Sequence, residues 1–89
     1  MSNSVPGNHP EQVPDAQLDL RGTPCPINLV RTKLRLEKMS PGSLLEVWLD
    51  PGEPIEQVPD SLVMQGYKLE AVEDRESFFA VKVRCPLAG

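Results

Sequence analysis

Histidine is nearly absent from this 89-residue chain: His9 is the only one, and it stands beside Pro10 in a stretch that also holds Pro6, Gly7 and Pro14 among polar residues. A Cys–His hydrolase needs a histidine inside its folded site, so that class is set aside. There are two cysteines, Cys25 and Cys85, far apart in sequence. A structural zinc site needs four suitable ligands, and two distant cysteines with one tail histidine do not supply them. Position 28 is asparagine, so the C-x-x-C of a thioredoxin-type dithiol is missing. There is no glycine-rich phosphate loop. No run is long and apolar enough to span a membrane, and the N-terminus lacks the basic start and apolar run of a secretory signal. Two cysteines in such a chain suggest free thiols in a reducing compartment, here the cytoplasm. The net charge of −4 argues against general nucleic-acid binding. Asp50, Glu53 and Glu56 are the nearest thing to a metal cluster. Turns and first helical turns favour acids on their own account, so no metal and no cofactor is expected.

What the chain does have is the run Arg21-Gly22-Thr23-Pro24-Cys25-Pro26-Ile27-Asn28. An alternating segment, Leu18-Asp19-Leu20, leads into it, and a segment with helical spacing, Ile27 to Met39, leads out. Cys25 therefore sits at a strand-to-helix turn. Pro26 suits the first helical position, where its missing N–H costs nothing. Pro24 holds Thr23 extended and keeps the helix from starting early. Cys25 then falls at the N-cap, with Ile27 and Asn28 as the next positions. A sulfur there faces the positive end of the helix dipole, which favours the thiolate. Asn28 is expected to add a backbone and a side-chain donor aimed at that sulfur. Cys85, on the apolar side of a strand, reads as a core residue.

The rest of the chain reads as one small domain over residues 17–86, between a disordered tail at 1–16 and a short tail at 87–89. Strands are expected at 17–21, 44–50, 67–73 and 78–85, and helices at 26–39 and 55–65. Within the first helix, Ile27, Val30 and Leu34 share the stronger apolar face, while Leu29, Leu36 and Met39 form a weaker stripe; two stripes imply contact with both the sheet and the second helix. Pro59 should kink or split the second helix, and Gly66 should cap it. Trp48 shares a strand face with acidic residues and reads as a shield over the outer side of the sheet. The order βαβαββ fits a two-layer α/β sandwich, a four-stranded mixed sheet with both helices on one face and strand order 1-2-4-3.

Charge is unevenly spread. Residues 21–38 hold Arg21, Arg31, Lys33, Arg35 and Lys38 against Glu37 alone, a net +4, so the remainder carries −8 of the total −4. The cysteine segment is a basic island on an acidic protein. It is either an ordinary solvated helix face or a docking surface for acidic partner proteins.

The run Leu18-Asp19-Leu20-Arg21-Gly22-Thr23-Pro24-Cys25-Pro26 resembles the signature of the TusA/SirA-like sulfur-carrier family. Pro41-Gly42-Ser43-Leu44-Leu45-Glu46-Val47 and the stretch from Asp60-Ser61-Leu62 to Gly66-Tyr67 sit where that family has its second strand and second helix. The family motif is usually written C-P-x-P, and Asn28 stands here in place of the second proline. The resemblance implies the same architecture and a carrier that lacks self-sufficient catalysis. Cys25 would be the sulfur-bearing residue, with Pro24, Pro26, Ile27 and Asn28 around it. It implies a cysteine desulfurase or similar donor and a downstream acceptor protein, serving tRNA thiolation or sulfur-containing cofactors. A monomer without direct nucleic-acid or membrane contact is expected. Two other readings stay open: a regulatory interaction module with Cys25 as a redox sensor, and a small α/β module presenting its sheet to RNA.

Overall fold

The computed structural model describes residues 13–86, and His9 and the terminal tails lie largely or wholly outside them. The elements are β1 (Ala16–Asp19), α1 (Ile27–Glu37), β2 (Leu44–Leu49), α2 (Glu53–Met64), β3 (Lys68–Asp74) and β4 (Phe79–Arg84). They form one sheet in the order β1-β2-β4-β3. β1 runs parallel to β2, with Leu18 opposite Val47, and β4 is antiparallel to both its neighbours. β1 starts slightly ahead of its expected place: Asp15, assigned to the tail by sequence, donates its backbone N–H to Leu44 O and accepts the Leu44 N–H on its carboxylate.

The alternation of β2 and β4 decides which side of the sheet is covered. Leu45, Val47 and Leu49 join Val81, Val83 and Cys85 in a core completed by Leu36 of α1 and by Val58 and Leu62 of α2. Helix and strand residues meet in one cluster, so both helices lie on the same sheet face. On the opposite face the polar members of the strands bury one another. Glu46 and Lys82 are direct cross-strand partners and only 5% and 7% exposed. Glu46 Oε2 accepts from Gln17 Nε2 at 3.0 Å and from Trp48 Nε1 at 2.7 Å. Lys82 Nζ lies 3.4 Å from Glu73, which also pairs with Arg75 at 2.6 Å. Buried charge persists only when so paired.

α2 corrects an expectation. It begins at Glu53 and continues unbroken through Pro59, with no split. A proline inside a helix gives up one hydrogen bond and costs about 3 kcal/mol. Here Pro59 is itself buried, on the side of α2 that carries the core residues Val58 and Leu62, and the packing of that side offsets the loss. The helix ends as expected at Gly66 (φ +100°). Tyr67 N–H reaches Leu62 O at 3.1 Å and Gly66 N–H reaches Val63 O at 3.0 Å, the paired bonds of a Schellman motif.

α1 corrects a second expectation and matters more for function. Its packed face is Asn28, Thr32 and Leu36, with Leu29 and Met39 at its margin. The stronger apolar stripe points away: Ile27 is 51% exposed, Val30 50% and Leu34 53%. The hydroxyl of Thr32 is buried at no penalty because it donates to Asn28 O at 2.8 Å.

Candidate functional site

The loop between β1 and α1 is fastened at several points. Leu20 N–H continues the sheet by donating to Trp48 O, and Thr23 N–H closes a turn onto Leu20 O. Gly22 (φ +81°) supplies the left-handed residue of that turn, and its N–H donates to Asp50 Oδ2 at 2.7 Å. From sequence Asp50 reads only as a turn acid. Only the parallel pairing of β1 with β2 brings its strand end beside the loop.

Arg21 is a fourth fastening. Its guanidinium donates to both carboxylate oxygens of Asp19, at 2.9 and 2.8 Å, and lies 4.7 Å from the Trp48 ring centroid and 4.8 Å from that of Phe78. The two rings are 4.9 Å apart. Trp48 thus shields the outer sheet face, as read from sequence, with Arg21 lying over it. Arg21 itself, grouped by sequence with the docking residues, is a loop anchor on the sheet and stands apart from the α1 cations. Hydrogen bonding to Arg21 lowers the Asp19 carboxyl from 3.8 to about 2. A carboxyl depressed on folding contributes above its ordinary value and loses that contribution as pH falls to the folded one. Trp48 fluorescence should therefore change as pH falls through about 2, and Asp19→Asn should show the acid-form emission at neutral pH.

Cys25 follows this fastened loop and is partly exposed, while Cys85 is buried; both are free thiols. Burial pushes the Cys85 thiol up, and its Sγ lies 3.7 Å from Leu36 O. The start of α1 differs from expectation by one residue. Pro26, not Cys25, is the N-cap, and no side chain caps the helix. Asn28 N–H donates to Pro24 O and Val30 N–H to Pro26 O, each at 3.1 Å. The backbone donor expected to reach the sulfur from Asn28 is therefore committed to Pro24. The Asn28 side chain turns inward instead, fully buried, with Nδ2 3.5 Å from Thr23 O. Asn28 is thus not the sulfur donor expected from sequence, because the loop carbonyls take its donors first.

Two depressions flank Cys25. On the helix side, a cavity of about 30 Å³ lies between the start of α1 and the middle of α2, walled by Cys25, Asn28, Leu29, Gln57, Val58 and Ser61. On the solvent side, an open groove of about 360 Å³ runs along Thr23, Pro24 and Cys25 to Asp50, Glu53 and Pro54. Gln57 and Ser61 were not singled out by sequence, since no local motif marks a helix residue that meets a distant loop.

The remaining basic residues divide. Arg31, Arg35 and Lys38 are exposed and border a shallow surface with Leu34. Lys33 is half-buried on the other flank of the helix, beside Leu29. The exposed face of α1 therefore combines Ile27, Val30 and Leu34 with three cations, and it begins two residues after Cys25. Among the described residues no three His, Cys, Asp or Glu side chains gather as a metal group, and no helix is long and apolar enough to cross a membrane.

Residues 16–85 match the Sulfurtransferase TusA family. A candidate sulfur carrier protein of Thermotoga maritima is 39% identical over 57 residues, covering 64% of this chain and 72% of the relative. A second, of Methanocaldococcus jannaschii, is 31% identical over 68 residues, covering 76% of this chain and 91% of the relative. Among solved structures, a SirA-like protein from Desulfitobacterium hafniense superposes with a TM-score of 0.67 at 24% identity, over 80% of this chain and 97% of that one. That likeness shows the shared fold.

Proposed function

Because the chain belongs to the sulfurtransferase TusA family, matched over residues 16–85, we propose that it relays sulfane sulfur as a persulfide on Cys25. The observation that carries this reading is the contrast between the cysteines. Cys25 stands partly exposed at the head of α1, whereas Cys85 is buried in the core. No histidine lies among the described residues to make a self-sufficient catalyst.

The chemistry is two exchanges without net redox change. The Cys25 thiolate attacks the outer sulfur of a donor protein's persulfide, the donor S–S bond breaks, and the donor cysteine leaves as a thiolate. Cys25 then carries –S–SH. In the second step an acceptor thiolate attacks that outer sulfur, which moves with its proton to the acceptor, and the Cys25 thiolate departs. A cysteine desulfurase fits the donor role. The acceptor would belong to a thiolation step, such as that of a tRNA base or a sulfur-containing cofactor, in the cytoplasm.

Docking uses the exposed face of α1. Ile27, Val30 and Leu34 offer apolar contact, and Arg31, Arg35 and Lys38 steer an acidic partner toward Cys25. Transfer tests the relay. The protein is loaded by a cysteine desulfurase with radiolabelled cysteine, separated from the enzyme, and mixed with a second thiol protein. The label should pass to that protein without free sulfide appearing first. Label that leaves only as free sulfide would oppose the relay.

A further inference from the structure

We propose that the cavity between Cys25 and α2 is the seat of the outer persulfide sulfur, with Asn28 Oδ1 as the acceptor that holds it. This rests on the relay reading and adds to it a resting place for the cargo.

Asn28 Oδ1 is the one buried side-chain nitrogen or oxygen among the described residues without a hydrogen-bond partner. Its amide is oriented by the other end, where Nδ2 faces Thr23 O at 3.5 Å. Turning the amide over would set two carbonyl oxygens against each other, so the free group is an acceptor and calls for a donor. The same residue walls the cavity next to Cys25. At about 30 Å³ the space suits a single heavy atom and is far too small for a cofactor or a peptide. A persulfide adds one heavy atom beyond Sγ. Its terminal S–H is a weak donor, which matches the unmet acceptor. The walls suit sulfur as well: Leu29 and Val58 are apolar, and Ser61 and Gln57 bring polar groups from α2.

The consequence is storage. Seated against an acceptor, the outer sulfur is held in its protonated form and turned away from the open groove. A small thiol in solution then meets it slowly. An acceptor protein docked on the exposed face of α1 meets it when the Cys25 side chain swings out toward the open groove. In the attack, the acceptor's sulfur bonds to the outer sulfur, the Cys25 S–S bond breaks, and Asn28 Oδ1 gives up its hydrogen bond.

The test compares the parent with Asn28→Leu, which removes the acceptor, and Ser61→Leu, which fills the cavity from α2. All three are loaded by a cysteine desulfurase, separated from it, and exposed to dithiothreitol while bound sulfur is followed by intact mass. Each should load one sulfur. Both variants should lose it at least fivefold faster than the parent. The pH profile for alkylating the persulfide should also move to lower pH in Asn28→Leu, since the group that favours the protonated form is gone. A general loosening of the fold would not move that profile. Equal loss rates in parent and variants, or an unmoved profile, overturn the seat while leaving the relay intact. If Asn28→Leu does not fold, the loss rate of Ser61→Leu decides alone. A parent that never loads is a failure of the relay itself.

Discussion

Leu36→Ala should lower the unfolding free energy by about 2–5 kcal/mol, while Leu34→Ala, two residues earlier on the same helix, should change it by no more than about 0.5 kcal/mol. The two residues have the same side chain and the same helical context, so propensity cancels and only burial differs. Leu36 is 2% exposed and belongs to the core cluster, whereas Leu34 is 53% exposed. Truncating Leu36 leaves a cavity beneath the sheet between Cys85 and the helix, and truncating Leu34 removes surface already in water. Urea unfolding of both variants measures the contrast. The stronger apolar stripe in the sequence would give the reverse order, so equal or inverted effects would mean that α1 packs on its other face.

Reversing Arg31 and Arg35 together to glutamate should slow sulfur transfer at low salt by about tenfold or more. Both side chains are exposed on the face of α1 that begins beside Cys25, and the double reversal changes the local charge by four. The loss should lie in association. It should shrink as ionic strength rises, because the screening length falls from about 10 Å at 0.1 M to about 3 Å at 1 M. Stability should hold within about 0.5 kcal/mol, which separates a docking effect from unfolding. Stopped-flow or quenched transfer assays across a salt series read this directly. Rates that ignore both the reversal and the salt would make the cations an ordinary solvated face.

Period-two alternation was enough to read β2 and β4, and with them the sheet order, because their inner residues are uniformly apolar: Leu45, Val47 and Leu49 against Val81 and Val83. α1 was harder because its two stripes compete. Hydrophobicity favours Ile27, Val30 and Leu34, but the molecule buries Asn28 and Thr32, whose amide N–H and hydroxyl donate to Thr23 O and Asn28 O. Such local bonds are invisible to an apolar count. The exposure of the better stripe therefore marks a surface kept for something other than the core. Pro59 misled for a similar reason, since tertiary packing outweighs a single lost helical bond. Around Cys25 the loop itself was legible, with its prolines, glycine and strand-to-helix turn. Asp50, Gln57 and Ser61 were not, because each arrives through the packing of another element against that loop. Arg21 looked like a member of the basic helix, and only the Trp48–Phe78 pair shows it committed to the sheet.

Cys25 alone is expected to carry sulfur. β4 runs antiparallel to β2, and β2 is parallel to β1, so Cys85 leaves the sheet at the end opposite the Cys25 loop. Burial also keeps its thiol protonated and so less nucleophilic. The direct measurement is intact mass after incubation with a cysteine desulfurase and cysteine, on the parent, Cys25→Ser and Cys85→Ser proteins. The expected result is a gain of one sulfur atom, reversed by reductant, on the parent and on Cys85→Ser, and no gain on Cys25→Ser. Sulfur retained by a folded Cys25→Ser protein, or none taken up by a folded Cys85→Ser protein, would contradict it.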